Sequence, residues 1–195
     1  ATYMKAWSEI ERAKLSHDRE DYDDAMKHYE RIATILKPSR LWSYMSSDFL
    51  AWALLEQAEG LSRKESAVEA IEAFKKAAEL FGEAKQAFER EIGKTKNLDE
   101  KEKAIELSNA SILRKDYCTA RVDVEEARAY ERNGRYNESA ENYDSAATVF
   151  ERILQSMEAE SDRKELKVIV FLCRAWQKME MAEARNSSDL FHEAS

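Results

Sequence analysis

Ala6-Trp7-Ser8-Glu9-Ile10-Glu11-Arg12-Ala13 decides the fold, because the chain writes it four times. The other copies are Ala51-Trp52-Ala53-Leu54-Leu55-Glu56-Gln57-Ala58, Ala120-Arg121-Val122-Asp123-Val124-Glu125-Glu126-Ala127 and Ala175-Trp176-Gln177-Lys178-Met179-Glu180-Met181-Ala182. Each reads Ala, usually Trp, two variable residues, an apolar residue, Glu, one variable residue, Ala. Nineteen residues after the first Ala stands another small residue: Ala25, Ala70, Ser139 and Ala194. Residues at equal distance from the first Ala therefore form columns, and each column has a chemistry.

Around the first copy, Met4, Trp7, Ile10 and Ala13 recur at steps of three, the apolar stripe of an amphipathic helix. A polar break over His17 to Asp21 leads to a second helix with Tyr22, Ala25, Tyr29, Ile32, Ala33 and Leu36 on one face. Pro38 ends it, since proline cannot continue the backbone ladder. The pattern returns as Ala70, Phe74, Ala77-Ala78 and Phe81, and again as Ser139, Tyr143, Ala146-Ala147 and Phe150. Small columns let helices approach and aromatic columns fill the space beside them. One such hairpin cannot bury its own face, so neighbours must stack on it.

With four Gly, one Pro and 36% charged residues in 195, the composition favours long helices. The expected units span about residues 3–38, 39–93, 98–160 and 162–195, the last cut short after Phe191 and Ala194 begin its second helix. Ser39 is a candidate cap for the second phrase helix, and Gly60-Leu61-Ser62 its expected break. The phrase spacings of 45, 69 and 55 residues are unequal. The surplus is read as one elongated hairpin, its two helices each about 30 residues and about 45 Å long. They meet at Gly93 to Asn97, with Asp99 as the next cap. An interruption of the second one over Leu113 to Tyr117 is the alternative.

A net charge of −8 argues against nonspecific nucleic-acid or anionic-membrane binding. There is no apolar run long enough to span a membrane, and no secretory signal at Ala1-Thr2-Tyr3-Met4, so a cytoplasmic location is expected. The chain starts without Met and stops inside an expected helix, as a piece of a longer protein would. Cys118 and Cys173 share a column with Met4 and Phe49, so both thiols are expected in the core.

The Trp-bearing helix followed by Asp21-Tyr22-Asp23-Asp24-Ala25…Tyr29…Ile32-Ala33 resembles the tetratricopeptide repeat (TPR), as does Gly134-Arg135-Tyr136-Asn137-Glu138-Ser139…Tyr143…Ala146-Ala147. Trp7, Ile10, Tyr22, Ala25, Tyr29 and Ile32 match the family's pattern. The Glu column stands where that family prefers a small residue, and the link between helices is two residues longer. The resemblance implies an all-α, right-handed TPR-like solenoid of antiparallel helix hairpins, like the large archaeal TPR-like proteins. More distantly the chain is similar to vesicle-fusion adaptors of the SNAP type, and its first unit to the MIT module. It implies a non-catalytic protein-protein interaction scaffold; a trafficking adaptor and a helical ligand-binding or enzymatic domain are the alternatives.

No histidine completes a Glu-x-x-His pair, and no glycine-rich phosphate cradle is present. No cofactor or metal is therefore expected. The four-fold Glu is read as a partner for a basic group or a backbone cap. The sharper candidate is a pair of basic stripes: Arg114, Arg121 and Arg128 at steps of seven, then Lys167, Arg174 and Lys178 on the next phrase helix. The resemblance places that helix face in a concave groove, where the stripes would suit an acidic peptide; solvated faces balanced by glutamates are the plainer reading. Self-association through the cut last unit, around Val170, Phe171 and Leu172 or Met179 and Met181, is the competing use.

Overall fold

The computed structural model describes the backbone of residues 2–157 and 160–193 and the side chains of residues 3–157 and 163–185. The described residues form helices joined by short links, with no strand. The elements are α1 (Thr2–Asp18), α2 (Tyr22–Leu36), a 3-10 turn (Ser43–Met45), α3 (Ser46–Arg63), α4 (Ala67–Lys94), α5 (Leu98–Arg132), α6 (Tyr136–Ser156) and α7 (Glu160–Glu193). The chain divides into two compact units, Ala1–Cys118 and Thr119–Ser195, with the boundary inside α5.

In the first unit the helices pack in series, α1 on α2, α2 on α3 and α3 on α4. The columns explain why. Ala25 and Ala70 are fully buried, Tyr29 and Phe74 are buried beside them, and Leu36 and Phe81 close the next turn. Each fully buried Phe contributes about 2 kcal/mol relative to an exposed ring. In the second unit α6 packs on α7, with Ser139, Tyr143, Ala146, Ala147 and Phe150 buried. Both thiols, Cys118 and Cys173, are buried and form no disulfide, as their column requires.

The links after α1, α3 and α5 share one geometry. Each places a residue in the left-handed region 14 positions after the first Ala of its phrase: Glu20 at φ 61°, Glu65 at φ 57° and Gly134 at φ 69°. The following residue donates its N–H to the carbonyl five positions back: Asp21 to Ser16 (2.9 Å), Ser66 to Leu61 (3.0 Å) and Arg135 to Tyr130 (3.0 Å). This closure satisfies the last carbonyls of the helix and turns the chain within three residues. Asp21 then caps α2, its side chain accepting the Asp24 N–H at 3.1 Å.

Two long helices form, α4 and α5, of 28 and 35 residues, and α5 runs unbroken through Leu113 to Tyr117. Other expectations need correction. Ser39 does accept the Trp42 N–H at 3.2 Å, but it caps a turn, and α3 starts only at Ser46 after the 3-10 segment. Gly60 does not break α3, which continues to Arg63. A Cβ at Gly60 would lie 3.2 Å from Tyr22 Cβ, so its glycine serves the approach of α2. Asn97, rather than Asp99, caps α5, its side chain accepting the Asp99 N–H at 3.0 Å. Finally, α7 continues to Glu193, so no second helix of a fourth unit begins at Phe191. The side chains of Phe191 and His192, and all of Ala194, lie outside the described residues.

Candidate functional site

The Glu column goes inward. Glu11 is exposed and pairs with Lys14, but Glu56, Glu125 and Glu180 are all buried. A buried carboxylate needs a partner, and the three solve this differently. Glu56 Oε2 lies 3.0 Å from Nδ1 of His17, whose proton affinity is raised, chiefly by that bond. Glu125 accepts from Arg128 at 2.9 Å, with Arg121 at 3.7 Å. Among the described residues Glu180 Oε2 has no hydrogen-bond partner, and neither has the buried hydroxyl of Ser139.

Two more polar groups sit inside the first unit. Asp48 of α3 is buried and accepts from Arg114 of α5 at 3.3 Å, while the guanidinium lies 4.7 Å from the Trp52 ring centre. The Ser111 hydroxyl is 2.9 Å from the Leu107 carbonyl and 3.3 Å from Asp48, and its single proton serves one at a time. Between α1 and α2, His28 holds Glu9 on Nδ1 at 2.6 Å and Asp24 on Nε2 at 3.3 Å. Asp24 also accepts from the Ser16 hydroxyl at 2.6 Å. The hydroxyl and both ring nitrogens are thus directed at carboxylates, which leaves neither in the arrangement of a nucleophile and its base.

The six basic residues singled out by spacing fall into distinct surroundings. Arg114 belongs to the first unit and is committed to Asp48 and Trp52. In the second unit Arg121 and Arg128 flank Glu125, and Arg128 also lies 5.8 Å from the Trp176 ring centre. Arg174 reaches across to α6, pairing with Asp144 and with Glu151 at 3.0 Å. Lys167 and Lys178 are exposed on α7.

Exposed apolar side chains concentrate on two phrase helices. Along α1, Met4, Trp7 and Leu15 are exposed and, with Ser8, Glu11 and Arg12, line an open groove of about 440 Å³. On α7, Val168, Phe171, Leu172, Met179 and Met181 are exposed, whereas Val170 is half-buried.

Sequence reasoning missed Asp48 and the two histidine networks. Asp48 had a signal: it is the one charge in a column that otherwise holds Tyr3, Tyr117 and Leu172, and Arg114 shares its own column with Met45 and Ile169. Among the described residues, no three His, Cys, Asp or Glu converge as a metal site would require, and no helix is long and apolar enough to cross a membrane. Comparison with protein-family models, curated proteins and solved structures finds no match to this chain.

Proposed function

We propose that this chain is a non-catalytic protein-protein interaction scaffold, built as a TPR-like right-handed solenoid of helix hairpins. The observation that carries this reading is the placement of its exposed apolar side chains. They stand in stripes on α1 and α7, and Met4 and Met179 occupy columns that are buried elsewhere, at Phe49, Cys118 and Cys173 and at Leu55 and Val124. The three equal turns after α1, α3 and α5 support the hairpin architecture. The buried acids support a scaffold role for much of the charge, since the arginines hold the helices together rather than a ligand.

An acidic partner remains the favoured chemistry, now on α7. There Lys167 and Lys178 flank Val168, Phe171 and Met179 on an exposed face. Selection of a displayed random-peptide library on the immobilised chain tests both parts. Acidic peptides that lose affinity for a Lys167→Glu/Lys178→Glu variant are expected. Binders indifferent to that variant would remove the acidic face, and the absence of any binder would sink the scaffold reading.

A further inference from the structure

The groove along α1 has counterparts inside the molecule, and they state what fits it. Met4, Trp7, Glu11 and Leu15 share columns with Phe49, Trp52, Glu56 and Gly60 of α3 and with Cys173, Trp176, Glu180 and Ala184 of α7. On α3 this face is covered by α2. Tyr29 stacks on Phe49 and Trp52 at 6.3 and 5.7 Å, and Tyr22 approaches Gly60. On α7 it is covered by α6, with Tyr143 at 5.4 Å from Trp176. The same column is 7% exposed at Phe49, 0% at Cys173 and 67% at Met4. One kind of helix therefore covers this face twice, and on α1 the described residues leave the face open.

Charges at the rim agree. Arg174 binds Asp144 and Glu151 of the covering α6, and Lys64 binds Asp23 of the covering α2 at 3.1 Å. On α1 the corresponding columns hold Lys5 and Arg19, both exposed. The face thus keeps the cations that elsewhere meet acids of the covering helix.

We propose that the outer face of α1 binds an acidic amphipathic helix of a partner protein, antiparallel to α1, with an aromatic residue four positions after a small one. The pattern is that of Ala25 and Tyr29 in α2 and of Ser139 and Tyr143 in α6, with an acid directly after the aromatic, Glu30 or Asp144. Antiparallel follows from α2, whose Tyr22 meets the late Gly60 and whose Tyr29 meets the early Phe49. A second copy of this chain does not supply the helix, because the aromatic columns of α2, α4 and α6 are already buried at Tyr29, Phe74 and Tyr143. Leu15 replaces Gly60, so the partner carries a small residue where α2 has Tyr22. This inference rests on the scaffold reading and names one of its partners.

The test is fluorescence anisotropy with two labelled helical peptides, residues 136–153 of this chain and the same sequence with Tyr136→Ala. The substituted peptide is expected to bind more tightly to the intact chain. Trp7→Glu or Met4→Glu should weaken it on the order of tenfold or more, as loss of a central aromatic contact does. Val68→Glu, at an exposed position of α4 outside both stripes, should leave it unchanged, and Leu15→Gly should reverse the preference between the peptides. No saturable binding, or equal binding to Trp7→Glu and Met4→Glu, overturns the proposal. So does a dimer in light scattering that Trp7→Glu converts to monomer, since the occupant would then be a second copy. If library-selected peptides still bind while these variants change nothing, only this inference falls. If nothing binds at all, the scaffold reading falls with it.

Discussion

Asp48 on α3 and Glu180 on α7 are both buried carboxylates, and they are accommodated in opposite ways. Asp48 has a permanent cation: burial pushes its proton affinity up, while the charge of Arg114, which donates to it, and hydrogen bonds from Ser111 and Trp52 oppose that with less effect. Among the described residues Glu180 has no hydrogen-bonded cation. Burial pushes its carboxyl up, Glu131 and Glu183 add to the push, and the nearby Ser139 hydroxyl pulls the other way without completing a hydrogen bond. Glu56 lies between these cases, with a partner in His17 whose charge depends on pH. Beside both Asp48 and Glu180 a neighbouring column departs from its pattern. Asp48 comes with Arg114, and Glu180 comes with Ser139, the one hydroxyl in a column of alanines.

The largest expected effect comes from breaking the first pair. Arg114→Met should cost about 2–3 kcal/mol, a discounted version of the penalty for stranding a buried charge, because the guanidinium retains some solvent. Arg114→Met with Asp48→Asn should recover most of it, measured by urea denaturation as a double-mutant cycle. Equal losses in the single and double variants would mean that Arg114 acts through its packing on Trp52 instead.

The second effect has the opposite sign. The folded carboxyl of Glu180 binds its proton more tightly than the unfolded one, so its contribution is fullest below about pH 4.5 and is lost as pH rises through the folded value. Glu180→Gln keeps the shape, removes the charge and can donate to Ser139. It should stabilise the chain by about 1 kcal/mol at pH 8 and flatten this part of the pH profile. A Gln variant less stable than the parent at pH 8 would show that the carboxylate is ionised and held there.

These pairs also mark how far the sequence could be read. Columns revealed the all-helical fold, the long α4 and α5 and the buried thiols, because packing repeats with the phrase. They did not reveal what crosses between helices. Arg174 looked like part of a basic stripe, yet Asp144 and Glu151 that neutralise it lie on α6, at no helical spacing from it. Gly60 looked like a breaker because glycine usually is one in a helix; its reason for being there, Tyr22, is 38 positions earlier. The turn at Glu20 and Glu65 was hidden because side-chain chemistry disfavours a left-handed glutamate, and only Gly134 announced the same geometry. Where helix pattern meets backbone strain or a contact distant in sequence, local reading ends.

The smallest expected effect tests the intermediate case, Glu56 with His17. Its bond to Glu56 raises the proton affinity of His17 above the usual 6.5, with burial opposing. A folded value above the unfolded one means stability that is complete below about pH 6.5 and disappears as pH rises through the folded value. Solvent screens the half-exposed ring, so the effect should stay below about 1 kcal/mol. His17→Gln removes the titrating cation but keeps a donor for Glu56. Its denaturation midpoint should therefore lose the fall seen in the parent above neutral pH, while a fall that survives in the variant would assign that titration to another group. The ordering of the three, Arg114 above Glu180 above His17, follows from how permanently each buried carboxylate depends on its partner.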